Sequence, residues 1–237
     1  MPNVQIAAFT FRFNFAAEML FAQTLNLFRR ELLTEQRRKY AFFGVLLYVV
    51  ATVFVSRFSF KVVRDVPTWN ALFWIILLFA SVIAVARSFA QESNGRLLYL
   101  YTLADPRAVL YSKLIYNTLL MILLGITGLV VFAVVVNYPV ADTPLFLLTL
   151  VLGCAGLAGT FTLISAIASK AGNNFALMSV LGFPVVLPML LAIIRASKMA
   201  ADGTGWDGAS VYLGIIIALN VIVITLSGLL FPYLWRD

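Results

Sequence analysis

LIYNTLLMILLGITGLVVFAVVVNYPVA, residues 114–141, carries no charged side chain along its whole length. A bilayer core about 30 Å thick is crossed by roughly 20 helical residues, so this run is long enough to span. It is apolar on every face and lacks the polar–apolar alternation of a barrel strand. The stretch reads as a helix in lipid.

Working outward, five further charge-free runs occupy approximately 42–56, 67–86, 143–169, 171–194 and 208–235. The shortest reaches membrane length over 40–60 when Arg57 snorkels. Composition agrees, with 62% of the 237 residues hydrophobic and 11% charged; soluble domains hold about 45–50% apolar and about 25% charged residues. The fold class is therefore all-α, a polytopic integral membrane protein. Six transmembrane helices are expected near 41–60, 68–88, 112–136, 145–168, 175–195 and 211–233, with an N-terminal amphipathic interfacial helix before them. Residues 19–237 form one domain on this reading. Residues 1–18 share no pattern with it and read as an extension, disordered or upstream of a functional start at Met19.

Two shortages exclude whole classes of chemistry. The chain has no histidine, so imidazole metal ligands, His general bases and Ser–His pairs cannot form within it. Its one cysteine, Cys154, permits neither an internal disulfide nor a cysteine-cluster metal site. No catalytic or metal-ligating set is expected. The net charge of +7 is explained by the positive-inside rule rather than by nucleic-acid binding. With the N-terminus inside, 12 of the 17 Lys and Arg fall on the cytoplasmic side, leaving Arg57, Lys61, Arg64, Arg195 and Lys198 outside. Both termini are then cytoplasmic.

Between Met19 and Tyr40, Phe21, Leu25, Phe28 and Leu32 recur on one helical face. Arg29, Arg30, Glu31, Arg37, Arg38 and Lys39 supply the charged remainder. Such a helix places its apolar face at the acyl boundary and its bases near anionic headgroups of the bilayer.

The segment RSFAQESNGRLLYLYTLADPRAVLYSK, residues 87–113, is the longest polar interruption between spans. Arg87 to Asn94 can prolong the second span, with Gly95 as its C-terminal stop. Leu97, Leu98, Leu100 and Tyr101 make a short apolar stripe beside Arg96. Asp105 followed by Pro106 is an N-cap and first helical residue, so the next helix starts there. A cytoplasmic elbow with exposed leucines calls for a partner surface.

No expected span carries an ionisable residue in its middle, which argues against ion-coupled transport and intramembrane proteolysis. No Gly–Lys dipeptide occurs, so the GxxxxGK[ST] phosphate loop is absent and energy from ATP must come through a partner. In the fourth span, Cys154, Ala158, Thr162 and Ala166 recur every fourth residue, beside Gly156 and Gly159, a pattern for close helix packing. The fifth span holds Gly182, Pro184 and Pro188 and is expected to kink or break, with Thr160, Thr162 and Ser165 as donors to the freed carbonyls. The break is expected to open toward the non-cytoplasmic side.

The elbow Glu92-x-x-Gly95-Arg96-Leu97-x-x-Leu100, with Asp105–Pro106 and Lys113, resembles that of ABC-2 type exporter permeases. More specifically, residues 29–55, 87–106 and TLISAIASKAGNNFALMSVLGFPVVLPMLL at 162–191 resemble the haem exporter protein B family (CcmB) of cytochrome c maturation. The resemblance implies a six-span, ABC-2-like permease subunit of a bacterial inner-membrane ABC complex. It implies a cytoplasmic ATPase subunit as partner, with ATP bound by that subunit and not by this chain; the cytoplasmic side of the elbow, its leucines and Glu92 make residues 87–113 the expected docking surface. The resemblance also implies a haem-handling membrane protein alongside, a periplasmic haem chaperone further out, and haem as candidate cargo. An exporter of lipid, polysaccharide or drug, and a scaffold that translocates nothing, are the alternatives.

Overall fold

A computed structural model describes residues 19–34, 39–59, 65–85, 105–170 and 175–236. Helix α1 covers residues 19–34. It is followed by α2 (Lys39–Ser59), α3 (Val66–Val85), α4 (Pro106–Val135), α5 (Thr143–Lys170), α6 (Phe175–Asp202) and α7 (Trp206–Arg236). The described residues contain no strand, and α2 to α7 are each long and apolar enough to cross a membrane. In lipid every backbone polar group must be satisfied within the segment, which is why such runs become helices. The chain is a polytopic membrane protein.

The helices alternate between two ends of the bundle. The terminal end carries α1, the start of α2 and the finish of α7; the distal end carries the α4–α5 and α6–α7 connections. Helix α5 is the most enclosed element and packs on α3, α4, α6 and α7. Its glycines set the close approaches. A Cβ at Gly153 would lie 2.8 Å from the Trp74 ring of α3, and one at Gly156 would collide with the Met189 methyl of α6. Small side chains there let backbones meet where lipid offers no hydrophobic drive for association.

An aromatic cluster fills the distal half. Trp69 lies 5.3 Å from Phe132 and 5.7 Å from both Phe73 and Phe146, centroid to centroid. Its indole Nε1 donates to the Asn137 carbonyl at 2.9 Å. The α4–α5 connection is also tied to α6, since Ala141 N donates to Ala201 O and Asp142 N to Ala200 O, at 3.2 and 2.9 Å.

Several helices run past the expected span limits. Helix α4 starts at Pro106, as the Asp105–Pro106 cap led one to expect and six residues ahead of the span placed near 112, whereas α6 continues to Asp202 rather than ending near 195. Residues 200–202, expected in a loop, are helical, and the turn narrows to 203–205 with Gly203 at φ 69° and Gly205 at φ 87°. A charged residue ends a hydrophobic span but not a helix, whose hydrogen bonds stay within the chain. Lys198 and Asp202, one turn apart and 2.7 Å from each other, support that last turn.

The expected break in the fifth span is absent. Helix α6 is continuous through Pro184 and Pro188, and both prolines are exposed. Each proline removes one backbone bond, and the flanking turns keep theirs. Two of the three donors expected for the freed carbonyls do not reach them: Thr162 Oγ1 donates to Ala158 O at 2.6 Å, and Thr160 Oγ1 is buried without a hydrogen-bond partner. Nor does α6 open at its distal end. Trp74 Nε1 donates to Ser197 Oγ (2.9 Å), whose single proton lies between Asn70 Oδ1 (2.8 Å) and Ile193 O (2.7 Å). Asn70 Nδ2 completes the fastening of α3 to α6 by donating to Ile194 O at 2.9 Å.

Candidate functional site: the terminal-end clamp

At the terminal end the chain must turn from the elbow into α4. Asp105 is the N-cap of α4, its carboxylate accepting from Arg107 N at 2.8 Å, with Pro106 in the first turn. Both features follow from local chemistry: the cap satisfies an orphan N–H, and proline has none to leave unsatisfied. Of the other elbow residues, Arg87, Glu92, Gly95, Arg96, Leu97 and Leu100 lie outside the described residues.

Helix α1 is docked onto this cap. Gln23 Oε1 accepts from Asp105 N at 3.3 Å, and Lys113 Nζ lies 3.2 Å from Glu31 Oε1. Gln23 and Glu31 are eight residues apart, as are Asp105 and Lys113, so both contacts share one sequence separation of 82. The two helices therefore run in the same direction and in one register over about 12 Å. The contacting face of α1 is its polar one, with Thr24 buried and its hydroxyl turned back on Leu20 O at 2.7 Å. The apolar face read from periodicity stays uncovered: Phe21 is 70% and Leu25 55% exposed. Arg29 is exposed and Arg30 half-buried, whereas Arg37 and Arg38 lie outside the described residues.

The Lys113–Glu31 pair is unequal. The lysine side chain is 3% exposed and the glutamate 24%. An ammonium this enclosed is costly without a counter-charge, and water still reaches the carboxylate. One turn farther into α4, Asn117 Nδ2 donates to Thr162 Oγ1 of α5 at 2.8 Å, so the clamp continues into the central helix.

The sequence reading named Lys113 only as the end of the elbow motif and did not single out Asn117 or Gln23. A signal was available: Leu110, Lys113, Asn117, Met121 and Leu124 follow three- and four-residue steps and are all buried. Their spacing puts a lysine and an asparagine on the inward stripe of α4. The packing residues fall into place separately. Gly156 and Gly159 face α6 and α7 through Met189 and Val223, and Gly182 meets Phe161 of α5. The Cys154 edge of α5 faces α4 instead, where a Cβ at Gly125 would lie 2.8 Å from Cys154 Sγ.

Among the described residues no group of three His, Cys, Asp or Glu side chains could hold a metal ion. The site offers directed attachment of an amphipathic helix to the first turns of a membrane helix. Comparison with curated proteins yields no match. The family model of the CcmB protein matches residues 22–234, from α1 to the last turn of α7. A match running through every described helix leaves one conclusion: the chain belongs to the CcmB family, the haem-exporter permeases of cytochrome c maturation.

Proposed function

We propose that this chain is the non-catalytic permease subunit of an ABC complex in the bacterial inner membrane, driven by a separate ATPase subunit. Family membership over residues 22–234 is the observation that carries this reading. The missing phosphate loop supports it, because the chain brings no P-loop chemistry of its own. The ATPase docks on the cytoplasmic elbow through Arg87, Glu92, Arg96, Leu97 and Leu100. Gly95 ends the preceding helix, and Asp105–Pro106 starts the next. Both termini are cytoplasmic, by the count of basic residues. Haem is the cargo of the complex, handed to a periplasmic chaperone with a haem-handling membrane protein alongside. The chain has no histidine, so imidazole ligation of haem iron is left to those partners.

The test is co-purification with the ABC ATPase subunits of the same bacterium. The wild type should retain one, and Leu97→Asp or Glu92→Arg should release it while membrane insertion stays intact. Full recovery of the ATPase with both variants removes the docking assignment. A wild-type chain that never retains an ATPase removes the ABC reading itself.

A further inference from the structure

The ten acidic residues divide unevenly between the two ends of the bundle. Asp65, Asp142, Asp202 and Asp207 are those at the distal end, and all four are described. Asp65 and Asp142 are helix caps, accepting from Thr68 N at 3.0 Å and Leu145 N at 3.1 Å. Asp202 pairs with Lys198. No carboxylate among the described residues pairs with Arg195, which is exposed near the distal end of α6. Its guanidinium instead crosses to α7. Arg195 Nη1 lies 3.4 Å from Tyr212 Oη, and its Cζ sits 5.8 Å from the centre of that ring.

Depth and surroundings say what could complete this charge. Arg195 precedes the end of α6 by seven residues, about 10 Å of helix. Helix α6 has 28 residues, about 42 Å against a hydrocarbon core of about 30 Å. A centred helix leaves about 6 Å beyond each face of the core, so the Arg195 backbone lies about 4 Å inside the distal edge, and its long side chain snorkels to the headgroup zone, to which the exposed Trp206 at the start of α7 also belongs. Leu191 and Leu187, one and two turns deeper on the same face of α6, are also exposed, Leu191 at 59%. A cation held by a tyrosine at headgroup level, above an uncovered apolar strip, matches an amphiphile with an anionic head. Arg recognises phosphate oxygens through its planar fork, and the Tyr212 hydroxyl adds one more donor.

We propose that Arg195 and Tyr212 form a binding site for the phosphate of an anionic phospholipid in the leaflet at the distal end, its acyl chain lying along Leu191 and Leu187. The neighbouring Lys198 is already paired with Asp202, and a resident anion completes the remaining charge of Arg195. The site goes beyond the permease reading and does not depend on it.

Native mass spectrometry of the full chain in detergent, titrated with phosphatidylglycerol or with phosphatidylcholine of the same acyl chains, tests the site. The wild type should retain phosphatidylglycerol in preference. Arg195→Gln should lower that retention about fivefold, the value of one interfacial cation, and Tyr212→Phe should lower it less. Lys198→Gln, one turn away and already paired, should leave it unchanged. Undiminished retention in Arg195→Gln overturns the proposal, and so does an equal loss in Lys198→Gln, which would reflect net charge alone. Inorganic phosphate at matching concentration should fail to displace the lipid; displacement would assign the site to the free anion and overturn the lipid.

Discussion

Single residues at the terminal end carry more consequence than their number suggests. Lys113 is a buried cation, and Glu31 brings it a carboxylate from a helix 82 positions away. Replacing one partner of a buried pair is costly, whereas replacing both with apolar residues of similar volume is often neutral. Glu31→Gln should therefore destabilise the protein by about 3 kcal/mol. Thermal unfolding in detergent, followed by size-exclusion recovery, should show a lowered midpoint for Glu31→Gln. The double variant Glu31→Leu with Lys113→Met should return near wild type. Equal midpoints for wild type and Glu31→Gln would mean that the pair contributes nothing. At the distal end, the Thr68 hydroxyl and backbone N–H hold the Asp65 carboxyl below its usual pKa, a cap effect at the first turn of α3. That stabilisation is complete above the ordinary carboxylate range and is lost as pH falls through the lowered value.

Among the elements, α6 departs most from its sequence pattern. Two prolines four residues apart suggested a broken helix, yet the backbone stays helical from Phe175 to Asp202. The prolines lie on an exposed face, and the distal third is fastened to α3 by Trp74, Ser197 and Asn70. Tertiary bonds hold the helix on course past two missing backbone bonds. Pro184→Ala with Pro188→Ala should therefore keep the fold and restore those bonds, raising stability by about 1 kcal/mol or more. A rise in the unfolding midpoint checks this, and a fall would show that the prolines are needed for packing. Helix α1 behaves in the opposite way. Its periodicity identified the face with Phe21 and Leu25, and the fold leaves that face uncovered while the polar face docks on α4.

At the scale of the molecule, α5 is the hub on which four other helices pack, and α1 is stapled to the side of the bundle through α4. The family match begins at residue 22 and the described fold at residue 19. Deleting residues 1–18 should leave membrane insertion and the unfolding midpoint unchanged, since Gln23, Thr24 and Glu31 stay in place. A lowered midpoint in the deletion would place residues 1–18 in contact with the bundle.

Hydrophobic length is a one-dimensional quantity, so the sequence alone determined the number of spanning helices, the cap at Asp105 and the apolar face of α1. These depend on residues within a few turns of each other. Partners were beyond its reach. Lys113 looked like a cytoplasmic charge at the end of the elbow, and Thr162 like a donor for the fifth span. Tertiary structure instead paired them with Glu31 and Asn117, and joined Trp74 to Ser197 across 123 residues. A polar group in lipid has to find a partner somewhere, but periodicity tells only which side of its helix it occupies. Which helix comes to lie on that side is decided by how all the helices pack at once.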